Sequence, residues 1–397
     1  MNRIVVVGAS AGGLATAEAL RRAGFAGVIT LVGDEPELPY DRPPLSKQLL
    51  SGEWEPGDLE LRSATDLDAL KLELRLGVRA TSLDTSRRRV LLADDTEVSY
   101  DAVVVATGVR ARRLPGTDGV AGVHTLRTLP DALALKERLR PGRRLVIVGA
   151  GFVGAEVAAS VRALGADVTV LESGPVALGA AVGEAAGRYL TGLHDEHGVR
   201  VRTGAAVTAI AQAAGRVTGV ELADGTVIPA DEVLVAVGSA PNTEWLAGSG
   251  LTVHNGLVCD QYCAAAPGVY GVGDVARWEN PLFGTTMRVE HRTNAAEQGL
   301  AVARTLLDPA ARHPFAPVPY FWSDQYGIRF QSYGHLRDHD EALVLDAAGH
   351  RLLVAYRKDD RLVGVLAAGG TPKTLRAWRA LIAAATPWTA AITSTAA

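Results

Sequence analysis

Two stretches of the chain share one design: IVVVGASAGGLATAEALRRAG, from Ile4 to Gly24, and LVIVGAGFVGAEVAASVRALG, from Leu145 to Gly165. Each reads as a buried strand, a tight glycine turn and a helix. Such a unit returns to a parallel sheet and puts its ligand at the carboxyl ends of the strands. In the second copy Gly149, Gly151 and Gly154 fill all three positions of the dinucleotide fingerprint. The first glycine permits the turn, the second lets a pyrophosphate approach the backbone, and the third lets helix pack on strand. In the first copy Gly8 and Gly13 hold the outer positions, Ser10 stands in the middle one and Gly12 lies beside the third. A serine is small and can donate a hydrogen bond, so the pyrophosphate reading survives it. Each copy also has its acid: Asp34 or Glu35 after the strand Val28–Val32, and Glu172 after the second unit's next strand. A glutamate there accepts the ribose hydroxyls of NADH and repels the extra phosphate of NADPH. Two nucleotide sites predict two cofactors, and FAD with a nicotinamide nucleotide is the natural pair.

Composition narrows the setting. The chain has 397 residues, 48% of them hydrophobic, which suits two or three domains with ample core. No run of about 18 apolar residues occurs, so a membrane span is not expected. The N-terminus enters a strand at once without the pattern of a signal peptide, and the expectation is a cytoplasmic protein. A net charge of −4 offers nothing to nucleic acid or to a membrane surface. The two cysteines, Cys259 and Cys263, have neither redox nor zinc spacing and read as packed thiols. Lysine is scarce, at 47, 71, 136, 358 and 373 only, which makes a lysine in a candidate site a noticeable choice.

Further along, DAVVVATG (Asp101–Gly108) and DEVLVAVG (Asp231–Gly238) are buried strands that end in glycine turns. VRARRLPGTDG has the texture of a linker. GVYGVGD (Gly268–Asp274) reads as a return to the first domain. Beyond Pro317, YGIRFQSYGH, EALVLDA, RLLVAYRK and RLVGVLAAG read as consecutive antiparallel strands. A final helix follows, with Thr371 as N-cap and Pro372 at the first helical position.

PYDRPPLSK (Pro39–Lys47), VVVATG, the second glycine motif with Glu156, GVGD (Gly271–Asp274), RVEH (Arg288–His291) and YFWSDQYG (Tyr320–Gly327) occur in that order. Together they resemble the FAD-dependent NADH–ferredoxin reductases, the putidaredoxin-reductase-like group, over essentially the whole chain. The resemblance implies that Lys47 lies beside the flavin N5 and pairs with Glu156, and that Trp322 packs near the isoalloxazine. It gives Arg42, Pro43, Arg79, Ala80, Thr107, Gly108, Asp274, Glu290 and His291 contacts with FAD, and Phe152, Val153 and Gly238 places at the nicotinamide nucleotide site. It implies NADH as donor and a [2Fe–2S] ferredoxin as acceptor, serving a cytochrome P450 or a dioxygenase. An acidic ferredoxin would be steered by arginines near the flavin opening, with Arg288 and Arg292 as the candidates. The oligomeric state implied is monomer or homodimer.

Two positions depart from the family pattern: Val176 stands where an arginine commonly follows the second acid, and Arg292 where tryptophan often follows RVEH. The loop after the first unit has no cysteine, which excludes thiol-based catalysis. The fold class expected is α/β, with two Rossmann-like domains and a C-terminal α+β domain built on an antiparallel sheet. The boundaries expected are 1–112 with 244–316 for FAD, 113–243 for NAD(H), and 317–397 for the interface domain. Rival readings are an NADH-dependent reductase of rubredoxin, quinone or another small acceptor, and a redox-sensing flavoprotein of the apoptosis-inducing-factor type.

Overall fold

The computed structural model describes residues 1–370 and 372–395. They divide into two compact units: Met1–Asp41 with Leu59–Arg110 and Ala240–Pro319, and Arg42–Asp58 with Ala111–Ser239 and Tyr320–Ala397.

The first unit is built on a six-stranded sheet with the order Ala264–Ala266, Val269–Gly271, Ala102–Val105, Arg3–Val7, Val28–Val32, Glu73–Arg75. All neighbours run parallel except the outermost pair, Ala264–Ala266 with Val269–Gly271. The three central strands are nearly unbroken runs of valine, leucine and isoleucine. That is the composition of strands covered on both faces, and Val5, Val103 and Leu31 are fully buried. The helices Ala11–Arg22 and Arg292–Leu307 pack closely together. A Cβ at Gly299 would stand 2.9 Å from the Gly12 carbonyl oxygen, so only glycine lets the backbones approach this far. Trp278 completes the core together with Val90, Leu92 and Val98 of the antiparallel strands Arg89–Leu92 and Glu97–Ser99.

The second unit repeats the design with a five-stranded parallel sheet: Arg200–Arg202, Asp167–Leu171, Arg144–Val148, Glu232–Val235, Val123–His124. The three-stranded antiparallel sheet Val207–Ala213, Arg216–Leu222, Val227–Pro229 joins its core through Val217, Val220 and Ile228. The same unit carries the C-terminal antiparallel sheet, ordered Tyr320–Gln325, Ile328–Gly334, Arg361–Ala368, Leu352–Lys358, Glu341–Asp346. The expected strands are present, but Ile328–Gly334 pairs with Arg361–Ala368 and not with the next strand in sequence. The hairpin that turns at Asp359, in left-handed backbone, brings Arg361–Ala368 back to it. Tyr320–Gln325 is a strand in its own right, where the sequence had shown only a motif. On the helix Pro372–Ala383, Leu375, Trp378 and Ile382 form a buried stripe. Thr371, its expected N-cap, lies outside the described residues. Among the described residues no helix is long and apolar enough to cross a membrane.

Within this second unit the helix Gly179–Glu196 meets the hairpin turn at Tyr326. His194 is 2% exposed and its Nδ1 lies 2.7 Å from the Tyr326 hydroxyl, while His197 stacks on the Tyr326 ring. Burial pushes His194 down to about 4. Between pH 6.5 and 4 the unfolded chain therefore binds a proton that the folded chain refuses, and stability falls as pH falls through that window. A depression of this size corresponds to about 3 kcal/mol. His194→Gln should remove that part of the pH dependence. Urea unfolding of the two proteins at pH 6.5 and 4 checks it, the variant losing about 3 kcal/mol less across the interval.

Candidate functional site

Each glycine turn is forced by its own surroundings. Gly8 has φ +122°, and a Cβ there would stand 2.0 Å from the Ala106 carbonyl oxygen. Gly149 repeats the arrangement against Ala236 at 2.5 Å. Gly13 and Gly154 are closed by the carbonyl oxygens of Gly8 and Gly149, at 1.8 and 2.2 Å from a built Cβ. Gly151 differs, because a Cβ would meet only the Ala236 oxygen, at 3.9 Å. The protein itself leaves room there, which is the cradle a closely approaching pyrophosphate requires.

The two helices that follow have uncapped N-termini. Ser10 and Gly151 occupy the N-cap positions without a side-chain cap, and neither first turn contains an acid. The helix Leu129–Arg138, by contrast, is closed by a full capping box of Thr128 and Asp131. The helices after Ser10 and Gly151 thus keep backbone N–H donors and a favourable dipole for an anion. Both turns fit a dinucleotide.

In the first unit Asp34 pairs with Arg79 at 3.2 Å, both well exposed, and the Tyr40 hydroxyl donates to Glu35. Ala80 is buried at the start of the strand Ala80–Asp84. Thr107 and Gly108 are pinned by Asn242, a residue the sequence did not single out. The Thr107 hydroxyl donates to the Asn242 carbonyl at 2.7 Å, and the Asn242 amide donates back to the Thr107 carbonyl at 2.9 Å. Asp274 sits in the turn Gly273–Val275, whose Gly273 N–H is held by buried Gln298. His291 occupies the N-cap of the helix Arg292–Leu307, again without a side-chain cap.

The arginines proposed to steer a partner are engaged elsewhere. Arg288 is largely buried, pairs with Glu290 at 2.7 Å and donates to the Asp274 carbonyl. Arg292 pairs with Asp41 at 2.6 Å. Each charge is locally balanced, so neither presents the free positive charge that steering requires.

In the second unit Lys47 and Glu156 meet as expected. Nζ lies 2.7 Å from Oε2, and the side chains are 10% and 8% exposed. Lys47 follows the 3-10 turn Pro43–Ser46, and Glu156 stands on the helix Phe152–Ala163. Two serines complete the cluster: Ser46 Oγ donates to Oε2 at 2.5 Å and Ser323 Oγ to Oε1 at 2.8 Å. Both lie inside the motifs PYDRPPLSK and YFWSDQYG, which by themselves mark no role for a serine. The alternation of the strand Tyr320–Gln325 separates its residues by face. Phe321 packs edge-on against Phe152, with centroids 4.6 Å apart. Trp322 stacks with Tyr320 on the opposite side from Ser323. Arg42 donates to the Arg127 carbonyl at 2.7 Å.

Glu172 is held at the second turn. Its oxygens accept from the backbone N–H of Ala150 at 2.9 Å and of Gly174 at 2.8 Å. Val153 is exposed beside Gly151, and Gly238, with φ +93°, follows the strand Glu232–Val235. Val176 is buried, and its methyl group would touch a Cβ placed at Gly187 or Gly179. The position is therefore core in this chain and could not hold a cation without repacking. Burial pushes Cys263 up to about 12 and Cys259 well above the usual thiol range, so neither is a thiolate at neutral pH.

Residues 2–299 match the family model described as pyridine nucleotide-disulphide oxidoreductase, and 320–396 match the model described as reductase C-terminal. A probable ferredoxin reductase of Castellaniella defragrans is 38% identical over 368 residues, covering 91% of this chain and 89% of the relative. The ferredoxin–NAD(+) reductase subunit of a benzene 1,2-dioxygenase system of Pseudomonas putida is 36% identical over 376 residues, covering 94% and 90%. Among solved structures, the reductase of the covalent putidaredoxin reductase–putidaredoxin complex superposes with a TM-score of 0.93 at 31% identity, covering 100% of this chain and 99% of that one.

Two of the three glycines of the second turn separate fold from ligand. Gly154→Ala should destabilise the protein by about 1–3 kcal/mol, because the new methyl group meets a carbonyl that cannot move away. Gly151→Ala should cost less than about 1 kcal/mol and act on nucleotide affinity instead. Urea denaturation of both variants, with a dinucleotide titration of the second, checks the contrast.

Proposed function

This chain belongs to the pyridine nucleotide-disulphide oxidoreductase family, and we propose that it is an FAD-dependent ferredoxin reductase. It draws reducing equivalents from NADH and passes them singly to a [2Fe–2S] ferredoxin that serves a cytochrome P450 or a dioxygenase. The observation that carries this reading is the buried Lys47–Glu156 pair, in a chain of this family whose only cysteines are protonated and packed away. Without a redox dithiol, electrons have to leave from the flavin itself. The names of the relatives, a probable ferredoxin reductase and the ferredoxin–NAD(+) reductase subunit of a benzene 1,2-dioxygenase system, agree.

Bound FAD supplies the ability to accept a hydride from NADH and to release electrons one at a time. The chain's part is to bind, orient and balance charge. Residues 1–112 and 244–316 form the FAD domain in this reading, 113–243 the NAD(H) domain and 317–397 the interface domain. Gly8, Ser10, Gly12 and Gly13 receive the FAD pyrophosphate on the open helix N-terminus. Asp34, Glu35, Arg79 and Ala80 hold the adenosine end. Thr107, Gly108, Asp274, Glu290 and His291 contact the remainder of the cofactor, and Arg42, Pro43, Lys47 and Trp322 take the FAD roles that the family resemblance implies. Gly149, Gly151, Phe152, Val153, Gly154 and Gly238 frame the NADH turn. Glu172, already anchored by two backbone donors, stands ready to accept from ribose hydroxyls and disfavours a 2′-phosphate by charge. Lys47 holds a positive charge near the reducible ring, and Glu156 fixes where that charge lies. Transfer of the hydride calls for no protein acid or base, so positioning is the main protein contribution. The site of action is the cytoplasm in this reading.

Anaerobic stopped-flow mixing tests it. NADH should bleach the flavin absorbance while NADPH at the same concentration does so at least tenfold more slowly. A [2Fe–2S] ferredoxin of the source organism should then restore the absorbance rapidly. Slow recovery with every such ferredoxin, together with fast recovery by a quinone, would contradict the proposal and favour the small-acceptor reading.

A further inference from the structure

The carboxylate of Glu156 is held from two sides that differ in kind. Oε2 receives Lys47 and Ser46, both from the loop that leads into the short helix Gln48–Ser51. Among the described residues Oε1 receives one donor, the hydroxyl of Ser323, from the first strand of the C-terminal sheet. An ionised carboxylate only accepts, so the Ser323 hydrogen must point at Oε1. That direction is enforced from behind. Gln325 Nε2 donates to Ser323 Oγ at 3.1 Å and occupies the lone pair on the far side. Ser323 and Gln325 are two residues apart, on one face of the strand, and are 0% and 2% exposed. The Gln325 carboxamide in turn faces His194, which the Tyr326 hydroxyl engages at 2.7 Å. A line of buried polar side chains thus runs through one unit and ends on the carboxylate that faces Lys47.

We infer that Ser323, oriented by Gln325, is a positioning residue for the Lys47–Glu156 pair, and that through it the C-terminal domain sets the reduction potential of the bound flavin. The inference rests on the flavin reading of the site. Without the Ser323 hydroxyl, Oε1 becomes a buried acceptor with no donor, which is costly for a charged group. The carboxylate is then free to rotate about its bond to the chain, which loosens the counter-charge that fixes Lys47 Nζ. Lys47 has three N–H donors, and Glu156 and Ser46 account for two. The direction of the third depends on how firmly those two are held. A less firmly placed ammonium stabilises negative charge on the reduced ring less well. Flavin potential therefore falls.

The test is the midpoint potential of the flavin in purified holoprotein, for wild type, Ser323→Ala, Ser323→Thr, Glu156→Gln and the double variant Ser323→Ala/Glu156→Gln. Ser323→Ala should shift the reduced-to-oxidised ratio at a fixed potential about tenfold toward oxidised, which is about 30 mV for a two-electron couple. Ser323→Thr keeps the hydroxyl and should restore the wild-type value. In the Glu156→Gln background the alanine substitution should add nothing, because its route of action is already cut; a residue acting only through packing would add its full effect there. If Ser323→Ala fails to retain flavin, Gln325→Leu probes the same line with the hydroxyl in place, and about a threefold shift in the same direction is expected. The inference is overturned if Glu156→Gln moves the potential while Ser323→Ala, or in its stead Gln325→Leu, does not. It is overturned equally if the alanine effect persists undiminished in the double variant. If neither Glu156→Gln nor Lys47→Met changes the potential, the flavin reading of the site fails and the inference falls with it.

Discussion

A lysine and a glutamate that are both about nine-tenths buried, 2.7 Å apart, are the constraint on which the candidate site turns. Removing two charges from water is expensive, and their mutual attraction offsets the cost only when the remaining hydrogen-bonding capacity is also met. The structure meets it with side chains from three separate parts of the sequence: Ser46 beside Lys47, Glu156 on the helix after the second glycine turn, and Ser323 on a strand of the C-terminal sheet. Ser160, one turn along from Glu156, also donates to the Ser46 carbonyl and ties the loop to the helix. Residues 42–58, far from the second unit in sequence, fold as part of it. A breach at any one of these points leaves a buried charge without its partner, which is far costlier than never having the pair.

The same economy of polar groups is visible at the two turns. A helix can close its first turn with a side chain, and the helix Leu129–Arg138 does so twice over. The helices after Ser10 and Gly151 leave that turn open. The protein thereby gives up some helix stability to keep donors for a ligand. Gly151 adds a vacant Cβ position that no protein atom requires, whereas its neighbours Gly149 and Gly154 are fixed by backbone carbonyls. Within one motif, two glycines serve the fold and the third serves the nucleotide.

Much of this was legible in the sequence, for a physical reason. The strand–turn–helix units have local signatures, valine runs and glycines at fixed offsets, and both parallel sheets follow from them. Lys47 and Glu156 were legible through short motifs that travel together. Ser46 and Ser323 were not, because serine is common on surfaces and only tertiary packing turns its hydroxyl toward a carboxylate. Asn242 was missed likewise, since its anchor on Thr107 bridges 135 residues of sequence. Arg288 and Arg292 looked like free cations because sequence does not show that Glu290 and Asp41 balance them. Val176 looked like a lost ligand, and it is a core side chain seated against two glycines. The strand order at the C-terminus escaped for a related reason: each strand is local, but the pairing of Ile328–Gly334 with Arg361–Ala368 is decided by a hairpin further along.

The place of one ammonium group decides how the site works. Reconstituting the protein with FAD labelled with nitrogen-15 and recording the flavin nitrogen resonances of wild type and Lys47→Met measures it. The N5 resonance should move on substitution while N1 stays in place. An N5 resonance that is the same in both proteins would contradict it.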